Sequence, residues 1–331
     1  MPGGAGSVMV SDRRNVLEEV VVAYARVNGL RIAYELVGDD DGGVGGGGDR
    51  DGDCVGVGDR AGDGRLWVIT TGGRFTRATP GVRELAAALA VDGDRVLIWD
   101  RPNCGESDVC FEGPSEPEMH ADTLAALLTH LDLGPAVLTG ATVGTRVSLL
   151  TAARHPEVAA GLALWWISGG PMGLMILGNV YYTASITTAW TRDMAAVADL
   201  PDWAGTIAAN PDNRQRILDA DRDQFVATMQ RWMSAYCPRP DERIPGLPDD
   251  VARAIKAPAL VFRGGASDPF HPRATSEAVA GLLPGARLVE PPWGDREYLE
   301  RQTEMATAGG LFVRWPLLAP TLRQWAAETL A

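Results

Sequence analysis

The chain has 331 residues, 46% hydrophobic and 22% charged, with a formal net charge of -13. That is enough for one large domain, or a domain with an inserted cap, around a sizeable core, and it excludes global disorder. The acidic balance argues against nucleic acid and anionic membrane as partners, and no apolar stretch reaches the roughly 20 residues a membrane span needs. The start, Met1-Pro2-Gly3-Gly4, lacks the basic-then-apolar pattern of a secretory signal. The four cysteines, Cys54, Cys104, Cys110 and Cys237, have no metal-ligand spacing. They read as thiols of a cytoplasmic protein with no metal or other cofactor, a Cys104–Cys110 bridge being the alternative.

After an N-terminal tail over 1–22, residues 20–37 alternate as two strands joined at Asn28-Gly29, a hairpin signal. Asp39 to Gly64 is almost entirely Gly, Asp and Val and cannot bury enough apolar surface to offset its ordering entropy, so a long mobile loop is expected there. Leu66 to Thr70 is a buried strand, followed by Thr71-Gly72-Gly73-Arg74. Gly81 to Ala90 is an amphipathic helix, and Arg95 to Asp100 the next strand. Met119 to Leu131 has helical spacing.

Ala136 to Thr139 is another short apolar strand. It runs through Gly140-x-Thr142-x-Gly144 into a helix that stops before Pro156. Gly161 to Ser168 is strand-like. From Gly169 to about Leu247 the rhythm turns helical and rich in Trp, Tyr and Met, among them Tyr181, Tyr182, Trp190, Met194, Trp203, Met229, Trp232 and Met233, which reads as a helical cap over 169–247. The sheet resumes at Ala259 to Gly265, then a helix from Arg273 to Leu283, a strand from Ala286 to Glu290 and a terminal helix near 320–330. Strands alternating with helices mean right-handed βαβ units and a mostly parallel α/β sheet. The core is then split into 23–168 and 248–331.

Four stretches in this order resemble the α/β-hydrolase superfamily. Thr71-Gly72-Gly73 is similar to the His-Gly-x that follows the third strand. Asp100-Arg101-Pro102-Asn103-Cys104-Gly105-Glu106-Ser107-Asp108 is similar to the D-R-P-G-x-G-x-S loop. Gly140-x-Thr142-x-Gly144 resembles the nucleophile elbow G-x-S-x-G, and Gly264-Gly265-Ala266-Ser267-Asp268 resembles the acid loop. The resemblance implies an α/β-hydrolase fold with an inserted helical cap. It also implies oxyanion donors at Gly73 and Val143, a nucleophile or polariser at Thr142, and a triad carboxylate at Asp268.

The pattern departs from that family twice. A threonine replaces serine at a corner normally held at positive φ, where a β-branched residue is strained. The loop after the last strand, Pro291-Pro292-Trp293-Gly294-Asp295-Arg296-Glu297, holds no histidine. Of the four histidines, His130 and His155 read as surface or packing residues, and His120 as exposed. His271 either starts a helix ahead of Pro272 or acts as a base displaced from the usual loop. Asp295 stands where the histidine is expected. Arg74 can bind an anionic or carbonyl group or cap a protein carboxylate, and Trp166 and Trp293 can wall a ligand or simply pack.

The resemblance implies an enzyme acting on a small, apolar or aromatic carbonyl compound by ester, lactone or C–C bond hydrolysis. Loss of both serine and histidine fits a lyase, isomerase, cyclase or cofactor-free oxygenase better, and a ligand-binding member without turnover is a third reading. The oligomeric state is open, a homodimer included.

Overall fold

The computed structural model describes residues 22–38, 64–237, 239–307 and 310–330. The expected tail and the Asp39–Gly64 loop, Cys54 included, lie almost wholly outside them.

The alternating stretch forms β1 (Ala23–Val27) and β2 (Leu30–Val37), paired antiparallel across Asn28-Gly29, both at positive φ. There follow β3 (Leu66–Thr70), α1 (Val82–Leu89), β4 (Arg95–Trp99), α2 (Glu116–His130), β5 (Ala136–Ala141), α3 (Val143–Arg154) and β6 (Ala159–Trp165). Five helices come next: α4 (Pro171–Thr191), α5 (Met194–Ala198), α6 (Pro201–Ala209), α7 (Asp212–Asp219) and α8 (Arg222–Ser234). The chain closes with α9 (Asp249–Ala254), β7 (Ala259–Phe262), α10 (Arg273–Leu282), β8 (Arg287–Val289), α11 (Glu297–Thr307) and α12 (Ala319–Thr329).

The eight strands form one sheet in the order β1-β2-β4-β3-β5-β6-β7-β8, antiparallel at β1–β2 and β2–β4 and parallel elsewhere. Side chains alternate across it, as strand geometry demands. Val68, Leu138, Leu164 and Val261 face one way, into a core closed by α2, α3 and α10. Ile69, Val137, Ala163 and Leu260 face the other, into a core closed by α1 and α12. This is the mostly parallel sheet with flanking helices that the strand–helix rhythm predicts.

Several boundaries differ from the periodicity. Helix α2 begins a turn earlier than expected, because the Ser115 hydroxyl accepts the Glu118 N–H and Pro117 suits a first turn. The short α9 and the charged α11 gave no apolar signal strong enough to read. The helices between β6 and β7 bury Tyr182, Trp203, Phe225 and Trp232 against one another. Trp190 does not join them; it is 68% exposed. Cys104 and Cys110 are both free thiols, so no bridge joins them.

Candidate active site

Every residue of β5 is buried, and the chain leaves it at Thr142 with φ 52° and ψ -120°. The corner is closed by contact between backbones. A Cβ on Gly140 would lie 2.4 Å from the Gly144 backbone, and one on Gly144 2.2 Å from the Thr70 carbonyl oxygen. Positive φ in a threonine costs on the order of 1–3 kcal/mol, so the surroundings must hold it there. The Thr142 N–H donates to the Trp166 carbonyl at 2.9 Å, and the Thr142 carbonyl accepts the Thr145 N–H at 3.1 Å. The half-exposed side chain lies against Gly72, where a Cβ would sit 1.9 Å from its Oγ1. That Oγ1 accepts the Val143 N–H.

Gly73 has φ 53°. Buried Arg101 donates to its carbonyl at 2.7 Å, and the Gly72 carbonyl accepts the Phe75 N–H at 3.1 Å. In a trans peptide the N–H points opposite the carbonyl, so these bonds fix the direction of the Gly73 N–H. Arg101 thus sets the β3 loop beside the elbow, although its sequence signal was only that of a loop motif. The Tyr181 hydroxyl overhangs Gly73, 3.3 Å from where a Cβ would be.

The acid loop lies next door. The Gly169 N–H donates to the Phe270 carbonyl at 3.1 Å, tying the loop to the end of β6. Asp268 and His271 are both buried. The Asp268 carboxylate accepts His271 Nδ1 at 2.8 Å, the backbone N–H groups of Phe270 and His271, and Arg301 Nη2 at 2.7 Å. The Arg301 guanidinium stacks 3.9 Å over Trp166, whose ring centre lies 6.3 Å from that of His271 and 5.7 Å from that of Trp293. Burial alone would raise the Asp268 pKa; the His271 hydrogen bond and charge and the Arg301 charge overcome it and hold it at about 2. Burial, with the Arg301 charge behind it, lowers the His271 pKa more than the hydrogen bond and charge of Asp268 raise it. At neutral pH the pair is therefore an aspartate and a neutral imidazole, with Nδ1–H fixed toward the carboxylate. His271 Nε2 makes no hydrogen bond among the described residues.

Thr142, Val143, Trp166, Asp268, His271 and, through Gly72, Gly73 thus gather at the C-terminal ends of β3, β5, β6 and β7. Trp293 packs against Trp166 at their margin. Asp295 does not join them. It is exposed and ion-paired with Arg273, while its carbonyl accepts the Ser267 hydroxyl. Arg74 turns to Glu116, 2.6 Å away, and caps a protein carboxylate, one of the two uses its position suggests. With Gly73, Phe75, Val180, Tyr181 and Thr206 it walls an open cleft of about 670 Å³, which Arg77, Asp100 and Glu106 also line and which Thr142, Val143 and His271 do not.

His120 corrects an expectation: it is fully buried, not exposed. Its place on the inner face of α2 sets its Nε2 2.9 Å from the Pro102 carbonyl, below the Arg74–Glu116 pair. Burial, then the nearby Arg101 charge, lowers its pKa from 6.5 to about 3. Below pH 6.5 the unfolded chain binds a proton that the folded chain refuses. Stability therefore falls as the pH drops from 6.5 toward 3, by roughly 3–5 kcal/mol in all. Urea midpoints taken from about pH 7 down to about pH 4 should show this slope. His120→Gln, which keeps a donor for Pro102 and does not titrate, should flatten it; an unchanged slope would assign the acid sensitivity elsewhere.

No protein-family model matches the sequence. No curated protein matches it. Solved structures do resemble the coordinates. A malate-bound esterase from Thermogutta terrifontis aligns with a TM-score of 0.55 at 20% identity, over 94% of this chain and 100% of the other. A putative lipase from Acinetobacter baumannii aligns at 0.53 with 16% identity, over 94% and 93%. Est816, described as an N-acyl homoserine lactone degrading enzyme, aligns at 0.51 with 18% identity, over 91% and 99%. At such identities the likeness is one of architecture.

Proposed function

We propose that this chain, whose fold is that of the α/β-hydrolases, is an enzyme that hydrolyses an ester or lactone in a small carbonyl compound. The observation that carries this reading is the buried Asp268–His271 pair, its Nε2 unpartnered, whose imidazole lies 6.3 Å ring to ring from Trp166, the residue whose carbonyl holds the strained hydroxyl corner at Thr142. A hydroxyl is a weak nucleophile at its own pKa and needs a base. In this reading His271 Nε2 takes the Thr142 proton as Oγ1 attacks the carbonyl carbon. The same proton passes to the leaving oxygen, and water attacks the acyl-threonine with His271 again as base. Asp268 holds the imidazole tautomer and favours the imidazolium that forms. The Gly73 and Val143 N–H groups receive the oxyanion, each contributing about 3–4 kcal/mol. Val143 N–H is freed for this as Oγ1 moves onto the carbonyl. The helices of 169–247 act as a cap that excludes water, with the cleft beside Gly73 as the substrate's seat.

A second reading has its own support. Among the described residues no hydrogen bond joins the Thr142 hydroxyl to an imidazole or a carboxylate. That favours a use in which His271 acts directly on a substrate C–H or on water and no acyl-enzyme forms. A panel of esters and lactones, followed by treatment with an organophosphonate and peptide mass mapping, separates the two. Turnover with phosphonyl transfer to Thr142 supports the hydrolase. Turnover without labelling supports the second reading, and no turnover of any ester or lactone removes the first.

A further inference from the structure

The loop after β8 carries no histidine, but it delivers a buried carboxyl. Glu297 opens α11, its N–H donating to the Gly294 carbonyl at 3.1 Å, and is 3% exposed. Its Oε1 stands 3.1 Å from Arg301 Nε, one helical turn on, an acid-then-base order that suits a helix. Arg301, itself buried, reaches beyond that pair to Asp268 Oδ2 at 2.7 Å. The same oxygen accepts His271 Nδ1 at 2.8 Å. Trp166 lies 3.9 Å from the guanidinium carbon and Tyr298 5.5 Å from it. Guanidinium and imidazole thus share one oxygen inside a sealed cluster.

Asp268, Glu297 and His271 can each take a proton, and their bonds rank them. Asp268 accepts four hydrogen bonds, each of which favours its charged form. A proton on His271 Nε2 would set an imidazolium beside the guanidinium on a shared carboxylate oxygen, where like charges repel. Glu297 Oε1 makes no hydrogen bond among the described residues, so a proton there breaks none. Besides Arg301 and Asp268, the charges facing Glu297 are Arg314, just ahead of the turn at 315–318, and Glu304 of α11. Arg314 is already paired with Glu300 and Glu304. Burial prevails over both arginines and raises the Glu297 pKa to about 7.

We propose that Arg301 is a positioning residue that keeps His271 in its base form by sharing Asp268 Oδ2 with it, and that Glu297 anchors Arg301 and takes the cluster's first proton in mild acid. Once Glu297 is neutral, the guanidinium faces Asp268 and His271 without a second carboxylate, and the imidazole resists protonation further. This rests on His271 being the base, which both readings of the site require, but its test needs no turnover.

The test is proton–carbon NMR of the full chain labelled at the histidine rings, titrated from about pH 8.5 to 4.5. The chain has four histidines, and His271→Gln identifies the signal of that ring. In wild type the ring should titrate below pH 6.5, after a smaller step near pH 7 as Glu297 takes its proton. Arg301→Gln should move the main midpoint up by about one pH unit or more. Arg301→Lys, which keeps the charge, should stay within about half a unit of wild type. Glu297→Gln should abolish the step near pH 7 and leave the main midpoint within about half a unit. A main midpoint unmoved in Arg301→Gln overturns the proposal. So does a wild-type ring without the step, or a step that survives Glu297→Gln. If Arg301→Gln does not fold, the step and its loss in Glu297→Gln decide. The same midpoints in a protein that turns over no ester or lactone keep this assignment and remove the hydrolase reading. Turnover with the midpoint unmoved in Arg301→Gln does the reverse.

Discussion

Replacing Thr142 by alanine lowers kcat/KM for the best ester or lactone substrate by about 10³-fold or more, because the attacking oxygen is gone and only the oxyanion donors and binding remain. His271→Gln gives a loss of similar size. The double variant is little worse than either single one, since nucleophile and base act as one unit. Thr142→Ser behaves oppositely. It keeps the hydroxyl and removes a methyl from a corner at φ 52° that packs on Gly72. Turnover is retained or raised, and stability rises by about 1 kcal/mol as the β-branched strain is relieved. The pH profile carries the same signature. Because burial lowers the His271 pKa, the base stays neutral below pH 6.5, and the rate holds there before it falls. Steady-state kinetics on wild type and the four variants, with urea unfolding of Thr142→Ser, check these outcomes. Unchanged turnover in Thr142→Ala, with loss in His271→Gln, would transfer the chemistry to the non-covalent reading.

The largest expected loss of stability comes from Arg77, a residue with no sequence signal of its own. Its backbone N–H donates to Asp100 at 2.8 Å and its Nε to Glu35 at 2.8 Å, while its remaining nitrogens pair with Asp100 and Glu106. Arg77, Asp100 and Glu35 are 2%, 1% and 3% exposed. Removing the guanidinium leaves two buried carboxylates, of which only Glu35 retains a cation, the half-exposed Arg83. Breaking such a pair costs about 3–5 kcal/mol, a large share of the roughly 5–15 kcal/mol that holds a domain folded. Arg77→Ala should therefore unfold at a far lower urea concentration than wild type. Burial already raises the Asp100 pKa, so lowering the pH should narrow the gap as the stranded carboxyls take protons. A deficit under about 1 kcal/mol, or one independent of pH, would mean water replaces the arginine at little cost. The same cluster ties the Asp100 loop to the β3 loop that carries Gly72 and Gly73, so the loss should also reach activity.

Much of the architecture was legible because its causes are local. A two-residue alternation marks strands and Asn28-Gly29 marks a hairpin. The glycines at 140 and 144 mark a place where two backbones touch, since no side chain fits there. Thr142 and Asp268 were singled out by the resemblance of their stretches to the elbow and the acid loop, not by local physics alone. The Asp268–His271 pairing was half legible: a spacing of three residues permits the contact, but only the fold of the acid loop makes it.

What the sequence alone determined is the strand–helix rhythm, the hydroxyl at the tight corner and the absence of a histidine after the last strand. The tertiary structure decided which charged groups are buried and with whom. Arg77 meets Glu35 across 42 residues and Arg301 meets Asp268 across 33. His120 lies on the inner face of α2, and Arg146 is sealed in with its fork unfilled. Local pattern fixes which face of a helix or strand a residue occupies. Charge, desolvation and pairing depend on what the rest of the chain brings up against that face, and no nearby residue encodes it.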